Sequence, residues 1–256
     1  MSWTGSVVHG RSTLSLLALF VAEIARAQNP ADSAARRPRY DGMQLHPSQF
    51  VYLTTLERDA STVTLGTRTI TVASATYVGA PAWLLTEARA GDGIPSADSL
   101  YTDFTTLRPI HWSATNGEAH LALEFRSDSA FGGTSSPGGR RSMSLAVPPG
   151  TLVSGAMLET VLRLLPLQMA WEDSMTTLSI TVGNSAVVPA RVAVIGEDRV
   201  RVPAGTFDCW VVSVHADQTK GLYWVTKTDP IVVRSTLDVP TMGGAQLVSA
   251  LARIAR

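Results

Sequence analysis

The sequence predicts a mainly β protein: one curved antiparallel sheet carrying a single helix. Three observations carry this. Short runs rich in β-branched and aromatic residues recur from Gln49 to Leu251, separated by turn residues. One stretch alone, about 154–165, is rich in helix formers between a capping residue and a proline. No long linker divides the 256 residues, which suits one sheet better than two domains.

The runs follow in order. Phe50 to Arg58 is the first, and Thr62 to Ala75 the second, with Thr-x-Thr repeats that suit a half-exposed strand. Ala82 to Arg89 follows the turn Gly79-Ala80-Pro81. Ser99 to Thr105 and Pro109 to Thr115 bracket a turn at Leu107-Arg108-Pro109. Asn116-Gly117 predicts a type I′ hairpin, which needs positive φ at both positions, with Ala119 to Ser127 as its return strand. Gly132 to Gly139 reads as a loop tip, and Arg141 to Val147 as another strand, ended by Pro148-Pro149-Gly150.

Ser154 is a suitable N-cap, and Pro166 ends the helix. Met157, Leu158, Val161, Leu162, Leu164 and Leu165 surround most of its circumference, so it needs burial on more than one side. Glu159 and Arg163, four apart, are placed to pair. The concave face of the sheet, or its mouth, is the natural seat; a lipid surface is the alternative. Strands then resume at Met175 to Val182, Val187 to Ile195, Arg199 to Val202, Thr206 to His215, Leu222 to Thr226 and Ile231 to Leu237. Ala245 to Leu251 reads as a strand or as part of a helix. The total is about a dozen strands.

Residues 1–27 read as a signal peptide. Arg11 precedes an apolar stretch, Leu14 to Ala22, too short to span a bilayer, and Ala25-Arg26-Ala27 supplies small residues for cleavage before Gln28. An uncleaved anchor is the alternative. Residues 28–47 read as a flexible leader and 48–253 as the single β-rich domain. The expected location is periplasmic or secreted, with no transmembrane span in the mature chain. Cys209 is the only cysteine, so an internal disulfide is excluded; its apolar strand context reads as a buried inert thiol. The formal net charge is zero and no basic run occurs, which gives no ground for a nucleic-acid partner.

The catalytic templates find no match. The sequence lacks G-x-S-x-G, H-E-x-x-H and C-x-x-C. His111 and His120 flank the Asn116-Gly117 turn and are candidates to face each other, but two histidines make a weak metal site. Glu172-Asp173 and Glu197-Asp198 are sequence neighbours, which point to opposite faces in a strand. No enzyme activity, cofactor or metal is expected.

The most specific motif is Val202-Pro203-Ala204-Gly205-Thr206-Phe207, followed by Tyr223-Trp224 and by Pro230-Ile231-Val232-Val233-Arg234. Pro203 presets the first corner of a turn and Gly205 permits positive φ at its close. From Thr206, residues Phe207, Cys209 and Val211 point one way and Trp210, Val212 and Val214 the other, so both faces are apolar. These residues, with Asp98-Ser99-Leu100 and Thr105 to Pro109, resemble the bacterial family of domains of unknown function numbered 3108. That family is similar in fold to the LolA/LolB periplasmic lipoprotein carriers, whose open half-barrel encloses an apolar cavity beneath helices. The resemblance implies such a fold here.

Two functions are therefore expected as alternatives. One is an envelope protein that binds or carries an apolar ligand, a lipid or acyl chain. Its candidate cavity residues are Trp83, Trp112, Met157, Val161, Leu165, Trp210 and Trp224. The other is a structural or interaction protein with a filled core and an envelope protein partner.

Overall fold

A computed structural model describes residues 40–91, 95–153, 155–181, 184–216, 219–239 and 242–255. The expected signal peptide, most of the expected leader, and the expected cap Ser154 lie outside the described residues. The end of the leader segment is anchored. A 3₁₀ turn at Gly42–Gln44 is capped by the Asp41 side chain. The Gly42 N–H donates to Thr105 O at 2.7 Å. Leu45, 4% exposed, packs in the main core.

Eight strands form the first half: β1 (Ser48–Arg58), β2 (Ser61–Tyr77), β3 (Ala80–Ala90), β4 (Ser96–Asp103), β5 (Pro109–Asn116), β6 (Ala119–Phe125), β7 (Ser129–Ser136) and β8 (Gly139–Ala146). The short β9 (Thr151–Val153) leads into helix α1 (Ala156–Leu162). The second half continues as β10 (Glu172–Thr181), β11 (Asn184–Val202), β12 (Gly205–Ala216), β13 (Thr219–Thr226), β14 (Val232–Val239) and β15 (Ala245–Ala255).

All fifteen described strands make one sheet, in the order β8-β7-β6-β5-β4-β3-β2-β1-β15-β14-β13-β12-β11-β10-β9. Each half is a meander of antiparallel neighbours; β9 alone pairs parallel, to β10. The two halves join where β1 pairs with β15. The sheet curls strongly. β8 and β9 stand at opposite ends of the strand order, yet only residues 147–150 connect them. β9 also lies against β5. The result is an open, unclosed half-barrel with α1 on its inner face.

The expected strands are present, with two differences, and the alternative left open at the C-terminal run resolves to strand. Gly132 and Gly133 lie inside β7 rather than in a loop tip. A Cβ on Gly132 would stand 1.9 Å from Ala122 O, so glycine there serves close strand approach. Val187 to Ile195 and Arg199 to Val202 form one long strand, β11, because a bulge between Val194 and Gly196 absorbs the irregularity. Ala245 to Ala255 is wholly strand. The Asn116-Gly117 hairpin also differs in detail. Asn116 pairs with Ala119, so the turn residues are Gly117 and Glu118, and Gly117 alone takes positive φ, at 59°. That pattern departs from type I′, where both central residues need positive φ.

Two apolar clusters fill the described interior. The main one joins Trp83, Leu85 and Trp112 of the first half to Met157, Val161 and Leu162 of α1 and to Leu178, Val192 and Val212 of the second. A second cluster gathers Phe50, Tyr52, Val202, Cys209 and Leu251. There the Pro203-Ala204 turn folds across the sheet, and the Ala204 N–H donates to Leu251 O at 3.0 Å.

Candidate functional site

The interior holds charge as well as apolar side chains. In β2, Arg68, Ile70 and Val72 alternate onto one face, at 5%, 2% and 1% exposure. In β3, Leu85 pairs with Val72 and Glu87 with Ile70, so Glu87 shares that face. Asp98 of β4 is Glu87's partner on the other side. Helix α1 supplies the last member. All seven of its residues are buried, Glu159 included.

Glu87 of β3 and Glu159 of α1 converge on the Arg68 guanidinium of β2. Its Nη1 donates to Glu159 Oε1 at 2.5 Å, and its Nη2 to Glu87 Oε2 at 2.7 Å. Glu87 Oε1 accepts in turn from Arg89 Nε at 2.9 Å and Nη2 at 2.7 Å. The Tyr52 ring centroid lies 5.7 Å from the Arg68 guanidinium, and the Tyr52 hydroxyl donates to Val232 O at 2.9 Å. Two buried polar atoms of this cluster, Arg68 Nε and Glu159 Oε2, have no hydrogen-bond partner among the described residues. The chain enters α1 through Gly155, at φ 84° and ψ −133°, with no side-chain cap. A Cβ there would stand 3.3 Å from Glu87 Oε2, so glycine lets the helix start close to the carboxylate.

The electrostatics follow from burial and neighbours. Burial pushes the Glu87 carboxyl up, but the Arg68 guanidinium and then Arg89 outweigh it and hold it at about 2. Burial pushes Glu159 up, and the opposing pull of Arg68 leaves it still raised. Burial, then the Glu87 carboxylate, push Asp98 up to about 6. Arg68 is desolvated, but Glu159 and Glu87 keep it firmly protonated.

The expected Glu159–Arg163 pair is replaced. Glu159 turns inward to Arg68, while Arg163 Nε donates to Pro230 O at 3.0 Å and its guanidinium lies 4.6 Å from the Phe50 ring centroid. An exposed helix offers its charges only each other; a buried one meets the charges of the sheet.

Comparison with known proteins places this arrangement. The family model described as "Protein of unknown function (DUF3108)" matches residues 51–246. The chain belongs to this family. Among solved structures it is similar to a beta-barrel-like protein of domain of unknown function DUF1849 from Brucella abortus. The identity is 13% and the TM-score 0.50, over 82% of this chain and 97% of that one. It is also matched to a DUF1329 family protein from Desulfovibrio piger, at 9% identity and a TM-score of 0.34, over 87% of this chain and 90% of that one. The curated proteins gave no match. The first likeness shows the fold, a barrel-like sheet, and agrees with the half-barrel seen here.

The cavity candidates divide into two groups in this DUF3108 protein. Trp83, Trp112, Met157, Val161 and Leu165 pack together in the main cluster, each 7% exposed or less. Trp83 stacks on Phe104 at 5.0 Å between centroids and donates its Nε1–H to Phe104 O at 3.1 Å. Trp210 and Trp224 are half-buried and lie on opposite faces of the sheet. Lys227 sits over the Trp210 ring, and Trp224 donates to Asp198 Oδ2 at 3.0 Å.

Other candidate groups have structural partners. His111 Nδ1 is 2.8 Å from Glu124 Oε1, and His120 pairs with Thr115, so the two histidines are offset along the hairpin and do not face each other. Glu172 bonds Arg191, and Glu197 pairs with Lys227. Cys209 is buried, and burial followed by the Asp198 and Asp208 carboxylates pushes its thiol up to about 12. Among the described residues no group of three or more His, Cys, Asp or Glu is placed to hold a metal. No described helix is long and apolar enough to cross a membrane.

Sequence reasoning passed over Arg68, Glu87 and Asp98. A signal was present. Arg68 sits in phase with Ile70 and Val72, Glu87 in phase with Leu85, and Glu159 within an apolar helix. Each is a charge at a position the surrounding pattern assigns to the core.

Proposed function

We propose that this protein is an exported, non-catalytic binding module for an apolar molecule, in which α1 occupies the ligand's place. The observation that supports it is the way α1 is held. Met157, Leu158, Val161 and Leu162 are buried on the inner face of the half-barrel, yet the charged side chain inside the helix, Glu159, is held by a bond from Arg68, while Arg163 at the helix end is held by Pro230 O and the Phe50 ring. Burying four such side chains contributes roughly 6–12 kcal/mol. Fixing seven residues of backbone costs roughly 7–14 kcal/mol. The two are of the same order, so the polar anchors at Glu159 and Arg163 weigh in how firmly the helix stays. A buried ion pair resists separation, so release of α1 requires a replacement partner for Arg68. Withdrawal of α1 opens an apolar trough lined by Trp83, Trp112 and the inner faces of β3 and β5.

Export rests on Arg11, the apolar stretch from Leu14 and the Ala25-Arg26-Ala27 site. Amino-terminal sequencing of the protein recovered from cell envelopes is expected to begin at Gln28. Native mass spectrometry of the same material is expected to show a bound apolar adduct, identified by solvent extraction. Protein free of any adduct, with α1 amides as protected from hydrogen exchange as β3, rejects the reading. The rival reading, an interaction protein with a permanently filled core, draws on the close burial of Trp83, Met157 and Val161. In-cell crosslinking that recovers one consistent envelope partner supports it.

A further inference from the structure

The binding reading, on which this inference rests, leaves open what kind of apolar molecule enters. The charges around Arg68 narrow it. With α1 seated, the Arg68 guanidinium gives Nη2 to Glu87 and Nη1 to Glu159. Glu87 is already divided, since its other oxygen accepts from Arg89. Asp98 lies beside Glu87 in the strand register, and Arg68 makes no hydrogen bond to it. Withdrawal of α1 removes Glu159 and leaves Nη1 without a partner. Nε is without one even in the closed state. The Arg68 side chain is 6% exposed with α1 seated, and withdrawal turns two unbonded donors toward the opened apolar trough, where an oxyanion satisfies them and a purely apolar molecule leaves them desolvated. Tyr52 covers its face without accepting a hydrogen bond in the guanidinium plane.

We propose that the ligand is an anionic amphiphile, whose carboxylate or phosphate head replaces the Glu159 carboxylate on Arg68 while its hydrocarbon tail replaces α1. The Glu159 side chain is then a built-in mimic of the head group. The unpartnered Glu159 Oε2 fits this role, because it leaves the mimic less completely bonded than a free head group that bonds both donors. Arg68 suits either oxyanion through its planar array of N–H donors.

The test compares probes that share a tail. Binding of dodecanoate, dodecyl phosphate and 1-dodecanol to the full mature chain is measured by calorimetry at a pH where both acids are ionised. At least one of the two anions is expected to bind tighter than dodecanol by on the order of tenfold, the worth of one charged hydrogen bond. Comparing the two anions then separates a carboxylate source from a phosphate source. Glu159→Gln weakens the competitor without leaving an unpaired buried charge on the helix, and is expected to raise affinity for the preferred anion several-fold. Arg68→Gln is expected to erase the preference; since that variant risks unfolding, the Glu159→Gln chain carries the test alone if necessary. Anion-to-alcohol ratios below about threefold for both anions overturn the head-group assignment and leave apolar binding standing. Failure of all three probes to bind overturns the binding reading itself.

Discussion

Two arginine–carboxylate pairs in this molecule look alike in geometry and differ in everything else. Arg191 meets Glu172 at 2.6 Å across β10 and β11, with side chains 72% and 60% exposed. Arg68 meets Glu87 at 2.7 Å with side chains 6% and 4% exposed. The first pair exchanges water for a partner at almost no net gain. The second has lost its water, so each member depends on the other for its charge to be tolerable. A hydrogen-bond length therefore says little about importance; the surrounding solvent decides it.

The largest break in this comparison is Arg68→Met. It leaves Glu87 and Glu159 buried together without their shared cation, and is expected to lower unfolding stability by about 3–5 kcal/mol, read from the urea midpoint. Gly155→Ala comes next. It forces a side chain into a positive-φ conformation beside Glu87, for a loss of about 1–3 kcal/mol. The same denaturation curves measure it.

Acid and base then separate the carboxylates of the buried cluster. Asp98 is raised from 3.8 to about 6, so the folded state holds its proton more tightly than the unfolded chain does. Its contribution to stability is complete below about pH 4 and is lost as pH rises through 6. Glu87 is lowered from 4.5 to about 2, so its contribution is complete above about 4.5 and is lost as pH falls toward 2. Asp98→Asn is expected to reduce the slope of the stability profile between pH 4 and 6, with Glu159, also raised by burial, keeping a share of it, and to leave the acid limb unchanged. A profile that keeps its slope in that window assigns the titration elsewhere. The smallest expected effect is Arg191→Ala, which should leave the urea midpoint within error.

The same contrast explains what the residues disclosed in advance. Strands such as Phe50 to Arg58 and the two-faced run from Phe207 to Val214 were legible because alternation is a local signal. The helix was legible because Pro166 and its apolar surround are local too. Gly132 and Gly133 misled, since glycine marks close backbone approach as readily as a turn. The buried cluster was illegible as a cluster because Arg68 stands 19 residues from Glu87 and 91 from Glu159. No window of sequence spans that distance; only the register of β2 against β3, and the return of α1 across the sheet, bring the three together. The strength of the Glu159–Arg163 expectation was the same locality, and it failed for that reason.

The pairing of β1 with β15 sets a timetable for making this protein. Among the described strands β1 is made first and β15 last, so β1 acquires its second neighbour only when the last of them is made, and until then the first half-sheet carries a naked edge at what becomes the middle of the sheet. Removing the eleven residues Ala245–Ala255 would not trim the fold at its margin; it would cut the sheet through the centre.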